Sequence, residues 1–167
     1  MRLRSAWVIG SLVLLITSYT FAQTPGKFKV FKADKFEGAI IAKDQVPQLK
    51  YFSERAKEYW TPSEQDVLKA DDLAKVYLQK YKGNDQYAKA SIPSILGRLN
   101  NYKRQYVGFI EESGDKTIWI NYFYDSGNFS YWTENLVFVF DGGSSFFRIK
   151  VNLKKKECYD LSINGVA

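Results

Sequence analysis

The sequence predicts an α+β domain in which N-terminal helices pack on a meander of about five antiparallel strands. Three observations carry this expectation. A helical apolar stripe follows a capping sequence at Thr61, the apolar period changes to two at Tyr102, and turn residues then separate alternating runs to the C-terminus.

Residues 1–22 read as an export signal. Arg2 and Arg4 precede an apolar run at 6–16 (AWVIGSLVLLI) that is short for a bilayer span, and Thr20, Phe21 and Ala22 suit cleavage before Gln23. An uncleaved anchor is the alternative reading. The mature chain, residues 23–167, is then a single domain of about 145 residues, expected to be secreted or periplasmic with no membrane span after cleavage.

Composition removes several function classes. The chain has no histidine, which excludes Ser-His-Asp and Cys-His catalysis and most zinc sites. Cys158 is the sole cysteine, so no intramolecular disulfide forms, and its place in an alternating run reads as a small buried residue. The net charge of +6 falls to +4 without Arg2 and Arg4 and is spread along the chain, so no nucleic-acid interface is expected. No metal site, catalytic residue or cofactor is expected either, and the sequence sets no oligomeric state. With 12 Tyr, 12 Phe and 4 Trp, the chain has aromatics enough for carbohydrate stacking or for a β-rich core.

The elements follow in order. Residues 27–32 (KFKVFK) suit an edge strand whose outward lysines discourage pairing with other chains. Residues 36–42 (FEGAIIA) form a strand or a helical turn, and Leu49, Phe52 and Ala56 suit one face of a short helix over 45–59. Thr61, Pro62, Ser63 and Glu64 read as a capping box, followed by Val67, Leu68, Leu73, Ala74, Tyr77, Leu78 and Tyr81 at helical spacing and a stop at Gly83. Ile92, Ile95, Leu96 and Leu99 suit a shorter helix entered through Pro93.

From Tyr102 onward the strands pair about their turns. A turn at Gly114–Asp115 sets Phe109 against Ile120 and Val107 against Tyr122, leaving Asn121 opposite Gly108. Residues 136–140 (LVFVF) make a strand that turns at Gly142–Gly143, facing Phe138 to Phe147 and Leu136 to Ile149. The tip at Lys154, Lys155 and Lys156 then sets Val151 against Tyr159, Ile149 against Leu161 and Phe147 against Ile163. On the opposite face Lys150 meets Asp160 and Arg148 meets Ser162. Trp119, Phe123, Val139 and Phe146 fall there too, so that face is either covered or used for binding.

Helices followed by a curved sheet resemble, in element order, the cystatin-like and NTF2-like architectures. The segments YKRQYVGFI (102–110), DGGSSFF (141–147) and DLSING (160–165) resemble a family of small, uncharacterised exported bacterial proteins. That resemblance implies export and a single domain, and it carries no catalytic residue.

The candidate ligand-binding residues are Phe129, Tyr131 and Trp132 on the long connection 125–135, with Asn121, Arg148 and Asp160 on the polar sheet face. Large aromatics on a connector either stack on sugars and partner side chains or fold back to cap the core. The expected function is an exported, non-catalytic binding or accessory domain recognising an envelope glycan or protein. The alternatives are a histidine-free carboxylate hydrolase using Glu111 or Asp160, and a purely structural accessory subunit.

Overall fold

The central strands are apolar on both faces, and this sets the layering. The computed structural model describes residues 27–50, 52, 56–125 and 127–166; the expected export signal lies outside them. One sheet holds β1 (Lys29–Lys32), β2 (Glu37–Ile40), β3 (Glu58–Trp60), β4 (Tyr102–Ile110), β5 (Lys116–Tyr124), β6 (Phe146–Asn152) and β7 (Glu157–Ile163). The strand order is β1-β2-β4-β5-β6-β7, with β3 beside the end of β4. β2 runs parallel to β4, and the other pairs are antiparallel.

The α+β class holds, with two changes to the expected layout. The helices α1 (Glu64–Gln79) and α2 (Gln86–Gly97) follow three short strands instead of leading the chain, and the sheet has seven strands. β1 and β2 fall in the runs read as an edge strand and as a strand or helical turn, whereas β3, at three residues, spans too few positions to display a period of two. The expected helix over 45–59 falls partly outside the described residues. Within them Val46–Gln48 form a 3-10 turn, and Leu49, Phe52 and Ala56 pack on the sheet.

Helix α1 begins two residues later than expected, its cap at Ser63 instead of Thr61. Ser63 is the N-cap, its hydroxyl accepting from Asp66 N at 3.2 Å while Asp66 Oδ2 accepts from Ser63 N at 2.9 Å. Thr61 instead accepts from Lys43 N, and the helix ends before Lys80 with Gly83 beyond it. Asp85 caps α2, which runs through Pro93 instead of starting there. Val67, Ala70, Ala74 and Leu78 of α1, with Ile92 and Ile95 of α2, cover Tyr106, Ile118, Ile120, Phe147, Ile149 and Val151.

The β4–β5 register corrects the expected one by three residues. Residues 111–115 form the turn, with Glu111 N donating to Asp115 O at 3.0 Å and Gly114 N to Glu111 O at 2.9 Å. Phe109 therefore faces Thr117, Val107 faces Trp119 and Asn121 faces Gln105. An odd shift exchanges faces, so Val107 and Phe109 join Trp119 and Phe123 in a second core on the far side. Gly108 faces Ile118 and leaves no hollow, since a Cβ there would lie 2.5 Å from Trp60 O. Phe28, Val46, Phe52, Trp132, Leu136 and Val137 cover this second core.

Residues 136–140 are not a strand, which removes the pairs of Phe138 with Phe147 and Leu136 with Ile149. β5 pairs directly with β6, setting Ile120 against Ile149. Side-chain amides take the place of a ladder. Gln105 Nε2 donates to Trp132 O at 2.7 Å and Asn135 O at 2.8 Å, while its Oε1 accepts from Val137 N at 2.9 Å. Asn121 Nδ2 reaches Val137 O at 2.8 Å, and Asn164 Nδ2 reaches Asp141 O at 2.9 Å. The connection thus lies across the sheet with side-chain amides bonded to its backbone at Trp132, Asn135, Val137, Val139 and Asp141. Gly142 and Gly143 do take positive φ, 86° and 57°, but they open a 3-10 turn at Gly143–Ser145.

The β6–β7 hairpin follows the expected register at one end only. Phe147 faces Ile163 and Arg148 faces Ser162, but beyond a bulge Lys150 faces Tyr159 and Val151 faces Cys158. Asp160 sits in the bulge at φ 50°, a left-handed conformation that aspartate tolerates better than most residues. No helix among the described residues is long and apolar enough to cross a membrane.

Candidate functional site

The residues singled out by sequence divide into buried and accessible groups. Trp132 is 7% exposed, its ring packed near Phe123 with Lys103 Nζ 4.8 Å from its centre. Asn121 is buried in the amide network beside Gln105, at 3.1 Å. Phe129 is half-buried, edge-on to Phe123 at 5.8 Å and Phe146 at 5.7 Å. Only Tyr131 of the three connector aromatics is well exposed, at 39%. The connector therefore caps the second core, and neither Trp132 nor Asn121 offers a stacking or polar surface.

Arg148 and Asp160 stay accessible but do not converge. Arg148 is half-buried, with its guanidinium 5.3 Å from the Phe138 ring and an amine 3.4 Å from Ser162 Oγ. Asp160 is exposed and pairs with Lys150 at 2.9 Å, across the bulge instead of straight across the ladder. This is an ordinary cross-strand ion pair.

A groove that sequence reasoning did not single out lies between α1 and the β6–β7 hairpin. Leu73, Val76, Tyr77 and Lys80 recur three or four residues apart, so they share one face of α1 and form one wall. Cys158 and Tyr159 of β7, the tip residues Lys155 and Lys156, and Asn152 and Glu111 form the other. The groove encloses about 710 Å³, within the range of ligand pockets. Val76 is 44% exposed.

The carboxylate at the polar end of the groove already has its hydrogen bonds. Glu111 Oε1 accepts from Tyr159 OH at 2.6 Å and Thr117 Oγ1 at 2.5 Å, and its Oε2 accepts from Asn152 at 3.3 Å. Burial raises the Glu111 carboxyl, but the hydrogen bonds from Thr117, Tyr159 and Asn152, with Lys155 nearby, hold it below its ordinary value. Hydrogen bonds from Lys154 and Asn152 likewise lower Asp115. Burial pushes the Cys158 thiol up to about 11, so it remains protonated near neutrality. A glycosidase acid needs a raised carboxyl, and a cysteine nucleophile needs a lowered thiol. The groove has the opposite of both.

Among the described residues no group of three or more Cys, Asp or Glu is placed to hold a metal ion. The only signal in the sequence for the groove was the recurrence of Leu73, Val76 and Tyr77, which reads equally as core. No family model, no curated protein and no solved structure matches the chain.

Proposed function

We propose that this chain is an exported, non-catalytic binding or accessory domain that recognises an envelope partner, a glycan or a protein, through the groove between α1 and β7. The observation that carries the reading is that groove: about 710 Å³, walled by Leu73, Val76 and Tyr77 and rimmed by lysines. Apolar walls with a few polar groups at the margin suit recognition. The hydrolase reading is weaker, because Glu111 is held in its anionic form and Asp160 is engaged by Lys150.

The test is capture from a native envelope extract by the protein, wild type beside Val76→Asp. Val76 is exposed, so a charge there leaves the core intact. A glycan or protein retained by the wild type and lost by the variant supports the groove as the recognition site. Equal retention by both, or by neither, sinks the reading.

A further inference from the structure

Resting on that reading, we propose that the groove takes an extended acidic segment of a partner polypeptide, which adds to β7 as a further strand. β7 ends the strand order and pairs with β6 alone among the described residues, so its outer N–H and C=O groups face away from the sheet.

The two ends of the sheet are guarded differently. At the other end β1 places exposed Lys29 and Lys32 within four residues, a common defence against strand addition. The seven residues of β7, ECYDLSI, contain no lysine, arginine or proline. Its guards are exposed Glu157 and Asp160 and the bulge at Asp160, which interrupts regular pairing and leaves residues 157–159 as a short uninterrupted edge.

The groove lies at that edge. Cys158 faces Val151, on the helix-covered side of the sheet, while Tyr159 faces Lys150, on the other side. Both line the groove, so it wraps the strand's free margin instead of resting on one face. A segment laid along it would pair with the β7 backbone and point alternate side chains at Val76 and Tyr77 on one side and at Tyr159 on the other.

Charge selects the segment. Lys80 and Lys156 line the groove without an ion-pair partner among the described residues, and Lys155 shares Asp115 with Lys154. Glu111 stays an anion whose oxygens are taken by its own hydrogen bonds, so with exposed Glu157 the lining carries two carboxylates against three lysines. Apolar residues alternating with acidic ones match this lining.

The probe is a synthetic octapeptide alternating valine with glutamate, beside the same peptide with alternate backbone amides N-methylated. Both are added to the protein while amide exchange is followed residue by residue. Strand addition predicts that the unmodified peptide slows exchange at the outward-facing amides of residues 157–159 by about tenfold or more, and that methylation weakens binding by a similar factor. Equal binding by the methylated peptide, unchanged exchange at 157–159, or no binding by either peptide overturns the proposal. If the peptide fails while Val76→Asp still loses the captured partner, strand addition falls and the groove reading stands. If Val76→Asp captures as the wild type does, both fall.

Discussion

Arg104 Nε donates to Asp71 Oδ1 across 2.6 Å, tying β4 to the buried face of α1. The other guanidinium nitrogens reach Tyr102 O at 2.8 Å and Leu99 O at 3.0 Å, and the group lies 3.6 Å from the centre of the Phe36 ring. Asp71 also accepts from Tyr122 OH at 2.9 Å. Burial raises the Asp71 carboxyl, and Arg104 and Tyr122 offset part of that rise. Asp71→Ala leaves a buried cation without its counter-charge and should cost about 3–5 kcal/mol. Chemical denaturation measures this; a loss below about 1 kcal/mol would mean that Arg104 is hydrated or relaxes without strain.

Gln105 holds the connection that covers the second core. Gln105→Ala removes two donors and one acceptor from the backbone at Trp132, Asn135 and Val137, and should cost about 1–3 kcal/mol. Amide exchange at Val137 should accelerate well ahead of exchange in β4. Unchanged protection at Val137 would show that apolar packing alone holds the connection.

Gly108 is required by close approach. Trp60 and Pro62 occupy the space that a side chain would need, so Gly108→Ala should cost about 1–3 kcal/mol by pushing β3 from β4. A thermal melt unchanged from the wild type would contradict that crowding.

Acid stability should depend on Glu111. Its carboxyl lies below the ordinary value of 4.5 when folded, so the unfolded chain takes up the proton first as pH falls. The stabilisation is complete above that value and is lost as pH falls below it through the folded pKa. Asp71 has the opposite sign: raised in the fold, its ionisation costs stability as pH rises above its ordinary value. Glu111→Gln should therefore flatten the acid limb of the stability curve, and an unchanged limb would assign it to other carboxylates such as Asp115.

Cys158 should react slowly. With the thiol pushed up to about 11 from an ordinary 9.0, its thiolate fraction near pH 8 is roughly a hundredfold below that of a free cysteine. A disulfide reagent followed by absorbance should show this deficit and its recovery on unfolding. A rate matching free cysteine would place the thiol in water.

Much of the local structure was legible. The edge lysines of β1, the helical stripe of α1, the turn glycines and the half of the β6–β7 register next to Phe147 all follow from side-chain period and backbone permissiveness. The grouping of Trp119, Phe123 and Phe146 on one face was legible too, though the sequence left open whether that face is covered or used for binding. The site was not legible, because Leu73, Val76 and Tyr77 belong to the same amphipathic pattern as the buried Ala74 and Leu78. Nothing in that pattern says which apolar residues the sheet leaves uncovered.

The sequence by itself determined where α1 and the long strands β4, β5, β6 and β7 form, because caps, periodicity and turn residues act over a few neighbours. Tertiary structure alone decided the rest. The β4–β5 register turned on whether the loop closes between Glu111 and Asp115, and a three-residue change there exchanged the two faces. The run LVFVF became a cover instead of a strand because Gln105, Asn121 and Asn164, distant in the chain, satisfy the backbone around it. Such amides carry no mark of the segment they will bind, since that partnership exists only once the strands that carry them have paired.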